Sequence, residues 1–181
     1  MKHYLQNKGK VLSLIISILL TATSCSFFKG LLKPEAAGLK AYEGKWYVIA
    51  SLPNRFEEGL VCSTSVFKYN EDRTLTVTNS ARDKSTGRVK SFTVKAWNPD
   101  KNSPELFRVQ IFFTMTRDFR LVYVSEDNSS AIIGSESKHL MWILSRAPST
   151  DDETLTMLIE KAAGSGYDTR RIIMIEQSCG D

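Results

Sequence analysis

The scarcities of this chain bound what it can do. Histidine is nearly absent. Of the two present, only His139 lies beyond residue 24, so an imidazole-held metal centre lacks partners. Cysteine is sparse, at three residues: Cys25, Cys62 and Cys179. The apolar stretch from Val11 to Leu20 is too short to cross a bilayer as a helix. Clustered positive charge is missing as well. The formal net charge is +4, but Lys2, Lys8 and Lys10 supply most of it from a segment, residues 1–24, that contains no acid. The nearly neutral remainder offers no basic face of the kind nucleic-acid binding needs. No Gly-x-Ser-x-Gly elbow appears. Gly164-Ser165-Gly166 reads as a helix stop, and His139 near Ser137 reads as a turn. There is no internal repeat and no low-complexity tract.

What is present begins with an export signal. Lys2 to Lys10 form a basic stretch, Val11 to Leu20 an apolar core, and small residues come next. Leu20-Thr21-Ala22-Thr23-Ser24-Cys25 resembles a bacterial lipobox, with Ala22 where Leu is usual. Residues 1–24 are therefore expected to be a lipoprotein signal peptide, with Cys25 as the lipidation site; an ordinary signal peptide with an incidental cysteine is the alternative. Each buried acyl CH₂ contributes about 0.8 kcal/mol, so two or three chains would anchor the protein to a membrane. With Ser26, rather than Asp, after the cysteine, the segment resembles sorted bacterial lipoproteins, and that resemblance implies the outer membrane. Residues 25–40, with Gly30, Pro34 and Gly38, read as a lipidated tether, and residues 41–181 as one domain. Cys62 and Cys179 are an even pair in an exported chain, hence a disulfide candidate, against a reactive thiol or a metal ligand.

From residue 45 the chain is a series of short β-rich runs: 45–52, 60–69, 74–80, 88–97, 106–112, 119–125, 130–135 and 139–146. Turn signals separate them, among them Pro53-Asn54, Asn70-Glu71-Asp72, Asn98-Pro99-Asp100 and Arg117-Asp118. Eight such strands fit a sandwich or an up-and-down barrel. Closure favours the barrel, which leaves no edges and encloses room for one small ligand. The period then changes. Thr150 with Glu153 reads as a capping box, and Leu155, Leu158, Ile159 and Ala162 recur at helical spacing. A last strand is expected over 171–176.

The residues within this order resemble the lipocalin family. Gly44-Lys45-Trp46-Tyr47 matches its Gly-x-Trp signature, and Trp142-Ile143-Leu144-Ser145-Arg146 matches its last barrel strand. Arg55-Phe56-Glu57-Glu58-Gly59 is similar to the first loop of bacterial outer-membrane lipocalins and of apolipoprotein D. The resemblance covers residues 41–179. It implies an all-β fold: an eight-stranded antiparallel up-and-down barrel with one C-terminal α-helix and a final short strand. It implies that Gly44, Trp46 and Arg146 are structural, with Trp46 plugging the closed end and Arg146 lying across its ring. It also implies a Cys62–Cys179 disulfide. Departures include Val48, where the family commonly has Glu, and a 112–119 bend that lacks the usual Pro.

The resemblance further implies a non-catalytic carrier of a lipid or other small apolar ligand, such as a fatty acid or lysophospholipid, with no cofactor. Trp142 is expected to face the cavity, and alternation adds Leu140 and Leu144. Phe119, Leu121 and Tyr123 are expected to line it from another strand, with Phe56 gating the mouth. Along 88–97, the Phe92, Val94, Ala96 face and the Thr93, Lys95, Trp97 face are not distinguished. Lys95 or Arg120 is the expected cation for an anionic head. The competing functions are a structural envelope lipoprotein with a filled barrel, and a thiol enzyme using Cys62. Ligand and oligomeric state are not encoded legibly.

Overall fold

A computed structural model describes residues 38–179. The expected signal peptide (1–24), Cys25 and most of the expected tether lie outside the described residues. Among these described residues, nine strands and one α-helix occur in order: β1 (Gly44–Ser51), β2 (Leu60–Tyr69), β3 (Leu75–Asp83), β4 (Val89–Trp97), β5 (Leu106–Phe112), β6 (Met115–Val124), β7 (Ser130–Ser135), β8 (Met141–Ser145), α1 (Asp152–Gly164) and β9 (Ile173–Met174). Successive strands pair antiparallel from β2 to β8, and β1 closes the cylinder by pairing with both β8 and β2.

The barrel interior reflects strand alternation. Trp46 and Val48, Phe67, Leu75 and Val77, Phe107, Phe119 and Leu121, Ala131 and Ile133, and Leu144 form the inner core. A second cluster lies outside the wall, where Ile132, Met141 and Ile143 receive Leu158 and Ala162 of α1. Two register shifts feed it. One between Val48 and Ala50 turns Ala50 and Leu52 outward, and one between Leu121 and Tyr123 does the same to Tyr123. Burial on both faces explains why β7 is buried along its whole length.

The helix begins one residue later than the capping-box reading places it. Asp151, not Thr150, is the N-cap, its carboxylate accepting from the Thr154 backbone N–H at 2.7 Å. Gly166, at φ 87°, turns the chain out after the helix. Tyr167 then drops onto the sheet, where its ring takes the space a Cβ on Gly134 would need, and its hydroxyl donates to the Ser135 carbonyl.

Several strand boundaries move. β6 begins at Met115, so Arg117-Asp118 is strand and not turn. The reversal is the tight Phe112-Phe113-Thr114-Met115 hairpin. The last strand shrinks to two residues after a 3₁₀ turn over Thr169–Arg171. The segment after β9 is nonetheless well bonded. β1 pairs with β2 only from Gly44 to Tyr47, and beyond that the C-terminal segment takes the edge β2 vacates. Ile175 donates its N–H to the Ile49 carbonyl, the Cys62 N–H donates to the Glu176 carbonyl, and the Gln177 amide donates to the carbonyls of Val48 and Ser63. The Cys62–Cys179 disulfide fastens this segment, with the two Cα atoms 6.2 Å apart.

Candidate functional site

The two ends of the barrel are built differently. At one end the chain crosses under the barrel in a 3₁₀ turn, Leu39–Tyr42, and Trp46 is fully buried above it. The Trp46 indole N–H donates to the Tyr42 carbonyl at 2.8 Å. The Arg146 guanidinium lies 3.7 Å from the Trp46 ring centroid and donates to the carbonyls of Lys45 and Glu43. Partial burial holds the Arg146 pKa below the usual guanidinium range. Gly44 enters β1 at φ 101°, and a Cβ there would meet the Arg146 guanidinium at 3.0 Å. This end is sealed.

The antiparallel order puts the 52–59, 84–88, 113–114 and 136–140 connections at the other end, which opens into a cavity of about 410 Å³. Val48, Phe67, Val77, Phe92, Val94, Phe107, Val109, Phe119, Ile133, Trp142 and Leu144 are among its walls. Polar groups occur at two places. Within the barrel, the Ser65 hydroxyl donates to Asn79 at 2.7 Å. At the mouth, the Glu57 carboxylate accepts from the Ser63 hydroxyl at 2.6 Å and from the Trp142 indole N–H at 3.2 Å. Asn54 shapes the loop that carries Glu57, accepting from the backbone N–H groups of Phe56 and Glu57. Phe56 is thereby set over the opening, lining both the cavity and a vestibule outside it.

That vestibule, about 540 Å³, adjoins the mouth and shares Arg55, Phe56 and Ile111 with the cavity. Its remaining walls include Met115, Arg117, His139, Leu140 and Arg171.

Of the residues expected to face a ligand, Phe56, Phe119, Trp142 and Leu144 line the cavity. Leu140 lines the vestibule instead, because β8 begins only at Met141. Leu121 is buried in the inner core below the open space. Tyr123 is a correction. The shift after Leu121 turns it outside the barrel, where the Lys161 ammonium sits 4.5 Å from its ring centroid. Burial raises its pKa. On β4 the inward face is Lys90, Phe92 and Val94. The expected cations are also corrected. Lys95 pairs with Asp72 and Arg120 with Glu105 and Glu136, and neither lines the opening. The cations at the mouth are Arg55 and Lys90, with Arg117 and Arg171 beside them. Lys90 is bound to Asp83 at 2.7 Å, and this contact, with the Ser85 and Thr86 donors, holds the Asp83 carboxyl well below the usual range.

Sequence reading missed Glu57, Ser63, Ser65 and Asn79 as cavity residues. The signal for the serines was present: counting back from Phe67 by twos reaches Ser65 and Ser63. Arg117 was likewise two residues before Phe119. The thiol-enzyme reading finds no support in the geometry, because Cys62 is bonded to Cys179 and offers no thiol.

Known proteins share this architecture. A family model described as "Lipocalin-like domain" matches residues 38–177. Temperature-induced lipocalin-1 of Arabidopsis thaliana is 33% identical over 153 residues, covering 80% of this chain and 81% of the relative. The outer membrane lipoprotein Blc of Vibrio cholerae is 28% identical over 140 residues, covering 77% and 82%. Among solved structures, the cockroach allergen Per a 4 superposes with a TM-score of 0.62 at 23% identity, covering 77% of this chain and 88% of its own. Proteins of this family generally bind small hydrophobic ligands and are generally not enzymes. A sealed end built on Gly44, Trp46 and Arg146, an open apolar cavity and a family match over nearly all the described residues place this chain in the lipocalin family.

Proposed function

We propose that this chain is a non-catalytic, membrane-anchored lipocalin that holds a single-chain lipid, such as a fatty acid or lysophospholipid, in its barrel at the bacterial outer membrane. The observation that carries the reading is the cavity. About 410 Å³ of space, walled by Phe, Val, Leu and Trp side chains and closed at one end, suits one apolar chain entering from the mouth. Water in such a space makes few hydrogen bonds, so a lipid tail displaces it favourably. That open volume also argues against a filled barrel. Phe56, Phe119, Trp142 and Leu144 are the proposed contacts. Cys25 is the proposed anchor, supported by the lipobox-like segment and by the lipoprotein relatives.

The test has two arms. Addition of palmitate to the purified chain is expected to change tryptophan fluorescence through Trp142, with a loss of most of that change in Trp142→Phe. An unaltered spectrum together with no co-purified lipid in native mass spectrometry would sink the carrier reading. For the anchor, bacteria expressing the chain are fed radiolabelled palmitate. Label is expected in the wild type and not in Cys25→Ser; a labelled Cys25→Ser protein would exclude Cys25 as the attachment point.

A further inference from the structure

We propose that the vestibule beside the mouth is a headgroup site for a phosphate monoester, so that the preferred occupant is a single-chain amphiphile with an anionic phosphate head. The proposal rests on the apolar-cavity reading above and adds the head to the chain.

Three arginines from three parts of the fold converge there. Arg55 comes from the loop after β1, Arg117 from β6, and Arg171 from the 3₁₀ turn before β9, with the His139 imidazole completing the ring. Arg117 belongs to the inward face of β6, two residues toward the mouth from Phe119, which lines the cavity. Guanidinium groups suit this task. Their planar forks match phosphate oxygens, and they are weakly hydrated.

Among the described arginines in no ion pair, which also include Arg73, Arg82 and Arg88, these three are the ones that line the vestibule. Arg108, Arg120 and Arg170 are each engaged by a carboxylate: Asp118, Glu105 with Glu136, and Asp168. Among the described residues, Arg55, Arg117 and Arg171 are in no ion pair, and no carboxylate lines the vestibule. The acids at the mouth, Glu57 and Glu58, line the barrel cavity instead, and the Glu57 carboxylate is already bonded to Ser63 and Trp142. An anionic head is therefore repelled from the Glu57 side of the opening and attracted to the vestibule. Arg55, Phe56 and Ile111 belong to both spaces, so a tail in the barrel and a head in the vestibule form one continuous path. The Met115, Ile111 and Leu140 side chains supply apolar surface beside the head, against which the first carbons of the chain can pack.

The purified full chain is titrated with dodecyl phosphate, dodecanol, dodecyltrimethylammonium and inorganic phosphate. Dodecyl phosphate is expected to bind about tenfold tighter than dodecanol, the scale of one charge-assisted hydrogen bond. Dodecyltrimethylammonium is expected to bind more weakly than dodecanol. The double variant Arg117→Gln/Arg171→Gln is expected to erase the preference for phosphate while leaving dodecanol affinity unchanged. Arg170→Gln, outside the vestibule, is expected to keep the preference. Equal affinity of the wild type for dodecyl phosphate and dodecanol would overturn the proposal, as would a double variant that retains the preference. Competition by inorganic phosphate against dodecyl phosphate, but not against dodecanol, supports a head seated in the vestibule. Inorganic phosphate that binds as tightly as dodecyl phosphate and displaces neither alkyl probe would show a separate free-ion site, and overturn the two-part path. Failure of all three alkyl probes would refute the apolar cavity itself, an outcome distinct from loss of headgroup preference alone.

Discussion

Arg146 illustrates how one side chain can close a barrel. Its guanidinium covers the Trp46 ring and donates to backbone carbonyls of Lys45 and Glu43, so the same group seals the indole and caps the chain that enters β1. Truncation to alanine removes the cation–π contact and leaves those carbonyls to water. Arg146→Ala is expected to lower the unfolding free energy by about 2–4 kcal/mol in urea titration. A loss below the error of that titration would mean the latch is ornamental. Tyr42 presents the opposite case. Its hydroxyl is buried with no hydrogen-bond partner, and burial raises its pKa far above the ordinary tyrosine value. The unfolded chain ionises this phenol near pH 10 while the folded protein keeps it protonated. Its contribution is therefore complete below about pH 10 and is lost as pH rises beyond that. Tyr42→Phe is expected to be neutral, or stabilising by up to about 1 kcal/mol, at neutral pH. It is also expected to flatten the decline in urea midpoint above about pH 10. An unchanged alkaline slope would show that other groups cause the decline.

At the level of elements, the helix is held at its middle and at its C-terminal end. Leu158 and Ala162 seat α1 on the outer cluster, and Tyr167 fixes its far end by occupying the space over Gly134. A Cβ on Gly134 would lie 2.2 Å from the Tyr167 hydroxyl, so the ring must leave. Gly134→Ala is expected to cost about 2–4 kcal/mol, combining overpacking with a lost buried hydrogen bond to Ser135. Gly134→Ala combined with Tyr167→Ala tests the cause. If the glycine acts through that ring, the double variant is expected to lose clearly less than the two single losses together. Full additivity would refute the steric account. The 113–114 hairpin shows why element boundaries resisted reading. Arg117-Asp118 has the composition of a turn. Asp118 is held in β6 by a bidentate pair with Arg108 on β5, an interaction between strands that no local pattern records. The same pairing holds the Asp118 carboxyl below the usual range.

Across the whole molecule, the barrel wall is completed by its own C-terminus. β2 leaves β1 after Tyr47, and the segment after β9 occupies the freed edge, fastened by Cys62–Cys179. Cys62 sits at φ 54° within the β2–β3 register shift, a conformation that costs a non-glycine residue free energy and is held there by the bond and by Glu176. With the cysteines 117 positions apart in sequence, the crosslink contributes about 4–5 kcal/mol by chain entropy. Reduction, or Cys179→Ser, is expected to lower Tm and to expose the Cys62 and Ile175 amides, which bond across this seam, to hydrogen exchange before the rest of the barrel. Protection that persists at those two amides would show that the segment stays docked without the bond. The sequence by itself determined the all-β class, the helix, the sealing pair Trp46 and Arg146, and the cysteine pairing as a family resemblance. These rest on local periodicity and on motifs that survive reading one residue at a time. Only the tertiary structure decided that Tyr123 turns outward while Phe119 stays in, because a single-residue register shift reverses every side chain beyond it. It alone assigned Lys95 and Arg120 to carboxylates outside the mouth and brought Arg55, Arg117, His139 and Arg171 around one opening. Those residues are scattered from the first barrel loop to the C-terminal segment, and barrel closure is what makes them neighbours.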